Sequence, residues 1–239
     1  MELRQYKITA EQVREYFEKS LSRFGENSEL RALFNVAVES EDFALFPYIS
    51  ANLRTFEEYI DSWVEIYFQY RSRTPYDYRV KPKAVTDDMS VVKIVAAAHG
   101  LSEEQAMSWL EARNAYMLAE SAQGYLLEEY VAIAAREHGL LYASGILRAI
   151  DFCSSDGEFL LQIKNKNNSE KSPTVKTGKP VKMWYRVNFR REKGAVIYYN
   201  NWEKLNAMFS AISGRECTFS EEGFLAFIGN VVGANKKII

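Results

Sequence analysis

An α+β fold is expected for this 239-residue chain on three features of its sequence. Apolar residues recur at helical spacing through most of the stretch up to His138. Strand-like segments and tight turns follow one another from Leu140. Helix signals then return near the C-terminus. The length and an apolar content of 47% are enough for a substantial core, in one large domain or two small ones.

The first helix is expected from Thr9 to Phe24, where Val13, Tyr16, Phe17 and Leu21 form one face and Thr9 stands as N-cap. Asn27 to Val38 repeats the pattern with Leu30, Leu33, Phe34 and Val38. A third helix, Thr55 to about Arg71, presents Phe56, Tyr59, Ile60, Trp63, Ile66 and Tyr67. These are packing helices. The irregular stretch Ser72 to Lys83 holds two prolines and reads as a connector, or as a basic arm touching phosphates. A short helix over 87–99 closes at Gly100. The capping pair Ser102 and Gln105 opens the next one, expected to break near Asn114 and to end at Gly139. Glu120, Gly124 and Glu128 recur every fourth residue and so line one row of that helix.

Strands are expected at Leu140 to Ala143, Leu147 to Phe152 and Glu158 to Asn165, the last two joined by the turn Ser154 to Gly157. Pro173 to Pro180 is polar. Val181 to Val187 suits either a helix or a strand, Ala195 to Tyr199 a strand, and Trp202 to Phe209 a short helix. Ser220 caps a last helix running to Val232.

Two cysteines, Cys153 and Cys217, suggest neither a disulfide framework nor a zinc site. No apolar run approaches the roughly 18 residues of a membrane span, so a cytoplasmic protein that does not engage a membrane is expected. The net charge of -2 hides an asymmetry. Residues 1–150 carry 16 basic against 23 acidic side chains, and residues 151–239 carry 14 against 9. Within 158–193 ten basic residues face only Glu158, Glu170 and Glu192. A polyanion would be drawn to that segment.

Chemistry concentrates in Leu147 to Lys171. Faces alternate along a strand, so Gln162 and Lys164 share one side while Leu161 and Ile163 take the other. Asp151, brought alongside by the hairpin, completes a set of oxygen ligands and an ammonium suited to metal-assisted phosphodiester hydrolysis. The same triple would also suit the solvent face of an ordinary hairpin. Two features favour the chemical reading. Asp151 sits among Leu147, Ala149, Ile150 and Phe152, where a carboxylate without a cation is costly. Lys166, Asn167, Asn168, Ser169 and Lys171 follow immediately, a run suited to base edges and phosphates.

The order of a helical Glu, a strand Asp and then Gln-x-Lys resembles the PD-(D/E)xK nuclease site, and more closely SinI-type type II restriction endonucleases. The resemblance is carried by LLEEY (Leu126 to Tyr130), AIDF (Ala149 to Phe152), LQIKNKNNSE (Leu161 to Glu170), KMWYR (Lys182 to Arg186) and SEEGFLAFI (Ser220 to Ile228). It implies a helical region over 1–115 (DNA clamp, dimerisation or packing) and a nuclease core over 116–239. In that core a central mixed sheet would be flanked by helices, with a DNA-reading segment at 165–193. It implies Mg²⁺ held by Asp151, Gln162 and a helical carboxylate, Glu128 first, with Glu120 and Glu129 as alternatives. Lys164 would orient the attacking water. Gln162 departs from the acid usual at its position and brings no charge to the metal.

The implied function is sequence-specific cleavage of double-stranded DNA at a short palindrome of the GG(A/T)CC kind by a homodimer. The alternatives are a DNA-binding module without a working metal centre, and a repair or RNA nuclease of the same fold. Base contacts are expected first from Lys166, Asn167, Asn168, Ser169 and Lys171, then from Arg186, Arg190 and Arg191. Phosphate contacts are expected from Lys176, Lys179 and Lys182. His99 and His138 sit near helix C-termini, where a cation suits the dipole. Trp63, Trp109, Trp184 and Trp202 are read mostly as core, with Trp184 also placed to stack on nucleic acid.

Overall fold

A computed structural model describes residues 1–80, 88–166 and 179–239. Each expected helix start that carries a capping side chain is present. Thr9, Asn27, Thr55, Ser102 and Ser220 each accept a hydrogen bond from the backbone N–H three residues on. They open α1 (Ala10–Phe24), α2 (Ser28–Val38), α3 (Phe56–Arg71), α5 (Glu103–Ala135) and α7 (Glu221–Ala234). Between them lie α4 (Met89–His99) and α6 (Trp202–Ser213). The break expected near Asn114 is absent, and α5 runs 33 residues without interruption, through 115–116.

The strands β1 (Leu140–Tyr142), β2 (Phe152–Ser154), β3 (Leu160–Lys166), β4 (Val181–Glu192) and β5 (Ala195–Asn200) form one mixed sheet in chain order. β1, β2 and β3 pair antiparallel, β3 and β4 parallel, and β4 and β5 antiparallel. Val181 to Val187, ambiguous in the sequence, is the start of a twelve-residue strand.

The sheet separates two cores by the alternation of its faces. Cys153 and Leu160 pack with the N-terminal helices around Phe17, Phe34, Phe46, Tyr59 and Trp63. Phe152, Leu161, Ile163 and Trp184 pack on the other side with α5, α6 and α7. Trp63 also donates its indole N–H to the Ile146 carbonyl at 3.0 Å. The N-terminal helices thus hold the loop that precedes β2. That loop replaces most of the strand expected from Leu147. Ala149 takes φ +60°, and the Arg148 N–H donates to the Leu45 carbonyl at 2.8 Å, so Ile146 to Ile150 cannot pair in the sheet.

Candidate active site

Asp151 closes the loop and joins the sheet by its backbone. Its N–H donates to the Leu161 carbonyl at 2.9 Å, and its carbonyl accepts from Ala143 N–H at 2.8 Å. The side chain is buried, and Oδ2 accepts the Ile163 N–H at 2.7 Å. That bond fixes one carboxylate oxygen against β3 and leaves the other free to ligate.

Glu128 comes from the C-terminal third of α5, where Leu126, Leu127 and Val131 anchor the helix in the second core. Ser144 Oγ donates to its Oε2 at 2.5 Å, and the Tyr142 hydroxyl lies 3.5 Å from the same atom. Gly145 makes the Ser144 turn possible. It holds φ +75°, and a Cβ there would fall 2.5 Å from the Tyr70 ring.

The electrostatics identify which carboxylates meet. Burial, and then the Asp151 charge, push the Glu128 carboxyl up to about 8. Asp151 is raised to about 6 by burial, opposed by the Ile163 N–H and the Lys164 ammonium. Near neutral pH, therefore, the pair resists full ionisation and holds on to a proton. Glu129 is raised by burial but bonds to the Tyr142 hydroxyl at 3.2 Å, and the Asp151 charge does not act on it. Glu120 is exposed on the same helix. Of the three candidates, Glu128 is the one brought to Asp151.

Gln162 and Lys164 share a face of β3, as their spacing requires. Gln162 is buried, and its amide makes no hydrogen bond among the described residues. Lys164 is half-buried, and its charge favours the ionised form of both Asp151 and Glu128. Among the described residues no third His, Cys, Asp or Glu joins this pair. The donors present are two buried carboxylates and an amide oxygen, which is a hard-oxygen set fitting Mg²⁺. A divalent ion would also offset the charge repulsion that holds a proton on the pair.

The expected DNA contacts divide three ways. Asn167, Asn168, Ser169, Lys171 and Lys176 lie outside the described residues. Lys166 is exposed on the Gln162 and Lys164 face, and Arg190 and Arg191 are exposed where β4 and β5 run on together beyond the sheet. Lys179 forms an ion pair with Glu158, and Lys182 lies over the Phe159 ring, on the sheet face away from Lys164. Arg186 corrects an expectation. It is only 6% exposed, donates to Asn165 Oδ1 at 2.7 Å and is ion-paired to Glu221 of α7. Its charge is spent inside the fold. Trp184 is likewise fully buried and donates to the Asn201 carbonyl, so it stacks on no nucleic acid. Trp109, read as core, is 52% exposed.

Sequence reading missed Ser144 and Tyr142 as the groups that hold Glu128. The Ser144 and Gly145 turn was visible, but its nearness to α5 depends on how the helix packs over β1.

The chain matches the SinI restriction endonuclease family over residues 52–234, which takes in α3 to α7 and the whole site. Type II restriction enzyme SinI of Salmonella infantis is 27% identical over 154 residues, covering 62% of this chain and 62% of that enzyme. Type II restriction enzyme Eco47I of Escherichia coli is 26% identical over 177 residues, covering 70% of this chain and 72% of that enzyme. The chain thus aligns to a little under two thirds of the first relative's length. A family match spanning most of the chain, with the acidic pair and its lysine inside it, makes this protein a member of the SinI restriction endonuclease family.

Proposed function

We propose that this protein is a type II restriction endonuclease that hydrolyses double-stranded DNA at a short palindrome, acting as a Mg²⁺-dependent homodimer. The observation that carries the reading is the buried pair Asp151 and Glu128, with the Lys164 ammonium and the buried Gln162 amide on one strand face beside it. Two carboxylates at close quarters in a core are expensive unless a cation is taken up there.

The residues divide the work. Asp151 and Glu128 present oxygens held by the Ile163 N–H and the Ser144 hydroxyl, so little reorganisation is needed on binding. Gln162 adds a neutral oxygen. Mg²⁺, when bound, would polarise the scissile phosphate and offset the charge of the leaving 3′ oxygen. Lys164 holds the water for in-line attack. The water oxygen bonds to phosphorus as the bond to the 3′ oxygen breaks, and that oxygen ends protonated. The pair gives up its retained proton as the site fills.

DNA would approach along the sheet face of Lys164. By strand register Lys166, Phe189, Arg191 and Tyr198 continue that face onto the two-stranded ribbon of β4 and β5. A two-stranded ribbon fits the major groove, and Arg190 and Arg191 are its natural base or phosphate contacts. The resemblance supports a target of the GG(A/T)CC kind.

The test is a plasmid digest with Mg²⁺ and with EDTA, followed by end-sequencing of the products. Discrete fragments formed only with metal support the proposal. Binding without cleavage would favour a non-catalytic module, and a random smear or RNA cleavage a nuclease of another role.

A further inference from the structure

The stretch that follows α3 carries positive charge without a carboxylate to hold it. Arginines of the preceding helices, Arg14, Arg23, Arg31 and Arg71, are each ion-paired. Over 72–80 the charged side chains are Arg73, Asp77 and Arg79, all exposed. Asp77 accepts the Thr74 hydroxyl at 2.7 Å, and no carboxylate pairs with Arg73 or Arg79 among the described residues.

This stretch is tied down along its length. At its start the Arg71 guanidinium lies over the Tyr67 and Tyr142 rings, 5.1 and 5.0 Å from their centroids, and donates to the Tyr142 carbonyl. At its end the Asn235 amide donates to the Tyr78 carbonyl at 2.7 Å, and the Val80 N–H to the Ile238 carbonyl at 2.9 Å. Between them Tyr78 stacks on Tyr125 of α5, with ring centroids 3.7 Å apart. Tyr125 stands one turn ahead of Glu128. The Tyr78 phenol is pushed up by burial and then by the Glu128 charge, and is eased by Arg73. A backbone fixed in this way loses little freedom when its side chains bind.

The topology sets the stretch across the site from the ribbon. β1 ends at Tyr142, β2 begins beside Asp151 and β3 carries Lys164 near its end, so these termini share one end of the sheet. β4 leaves by the same end to form the ribbon with β5. Through Arg71 and Tyr142 the stretch 72–80 borders that end on the β1 side. The acidic pair and Lys164 lie between. Three strand steps of about 4.8 Å separate β1 from β4, roughly 14 Å, close to the width of a major groove at about 12 Å.

We propose that Arg73 is a phosphate clamp that grips the DNA backbone on the β1 side of the cut, opposite the ribbon. The inference rests on the DNA-cleaving reading and gives it a second arm. The Arg73 guanidinium lies 5.3 Å from the centroid of the Tyr70 ring, and that ring is packed against Gly145. Ser144, the next residue, holds Glu128. The cation therefore sits at a fixed offset from the acidic pair. Its planar fork matches a phosphate, and its charge opposes the repulsion that the acidic N-terminal half exerts on a duplex.

The experiment is an anisotropy titration of a short labelled duplex with the full-length protein in EDTA, repeated at salt from about 50 to 200 mM. Arg73→Ala should bind about tenfold more weakly at the lowest salt. Its plot of log affinity against log salt should be shallower by about 0.9, the signature of one lost phosphate contact. Its melting temperature should match wild type. Arg73→Lys should keep the wild-type slope, because the charge remains. Arg113→Ala, exposed in the N-terminal half of α5, should change neither quantity. The loss in Arg73→Ala should be the same on a duplex of unrelated sequence. A wild-type slope in Arg73→Ala overturns the clamp, as does a loss confined to one sequence or an equal loss in Arg113→Ala. If wild type binds no duplex at all, the nuclease reading falls too, whereas binding that keeps its slope without Arg73 refutes the clamp alone.

Discussion

Replacing Glu128 by Gln removes one of the two groups that share the buried pair's proton, and the effect on stability can be worked out. In wild type without metal, the carboxyl titrates near 8 when folded and near its ordinary 4.5 when unfolded. As pH rises past 4.5 the unfolded chain releases this proton first, while the folded chain holds it until about 8. Folding is therefore favoured at low pH and weakened as pH climbs. Between pH 6 and pH 8 the loss is about 2 to 3 kcal/mol for the pair, the larger share from Glu128. Urea unfolding in EDTA at those two pH values should show this slope in wild type and only its small residue in Glu128→Gln. Mg²⁺ at ten times its dissociation constant should restore about 1.4 kcal/mol to wild type at pH 8 and much less to the variant. Equal pH slopes in the two proteins would mean that Glu128 does not sit charged against Asp151, and the metal site would lose its second carboxylate.

Other substitutions test the remaining parts. Asp151→Asn should lower cleavage by about a thousandfold or more while leaving DNA binding in a gel-shift assay within about threefold of wild type. Lys164→Arg should also fail to cleave, because a planar guanidinium cannot take the place of a compact ammonium beside the water, and retained activity would exclude that role. Arg186→Ala should cost about 3 kcal/mol by breaking the buried pair with Glu221, which keeps the Trp202 indole N–H, with DNA affinity of the folded fraction unchanged; a loss of affinity without a loss of stability would make it a DNA contact after all. Ala149→Gly should raise the melting temperature slightly, since relief of the left-handed strain, about 1 to 2 kcal/mol, exceeds the entropy cost of glycine.

What the sequence disclosed depended on how local its cause was. Caps such as Thr9 and Ser220 act within one turn, and those helix starts were legible. The shared side of Gln162 and Lys164 followed from strand geometry alone. The strand expected at Leu147 was not formed, because its residues are held by partners far away in sequence, Leu45 and Trp63. Arg186 looked like a DNA contact because its acidic partner lies 35 residues on, in α7. Glu128 could be separated from Glu129 only when the packing of α5 over β1 was known, since a helix register differing by one residue decides which acid meets Asp151 and Ser144.

The unbroken length of α5 limits how this chain can vary. Glu128 and Ala106, which packs on Val92 and Ala96 of α4, ride on one rod of about 50 Å, so the angle between them is set by the count of residues alone. Inserting a single residue between them would swing the α4 contact by about 100° around the rod, although every side chain at the acidic end stayed put. Seven residues, nearly two full turns, would return it to within about 20°. Gaps in this stretch among kindred chains should therefore come in whole-turn steps, whereas the strand ends and the ribbon tip are free to gain or shed residues one at a time.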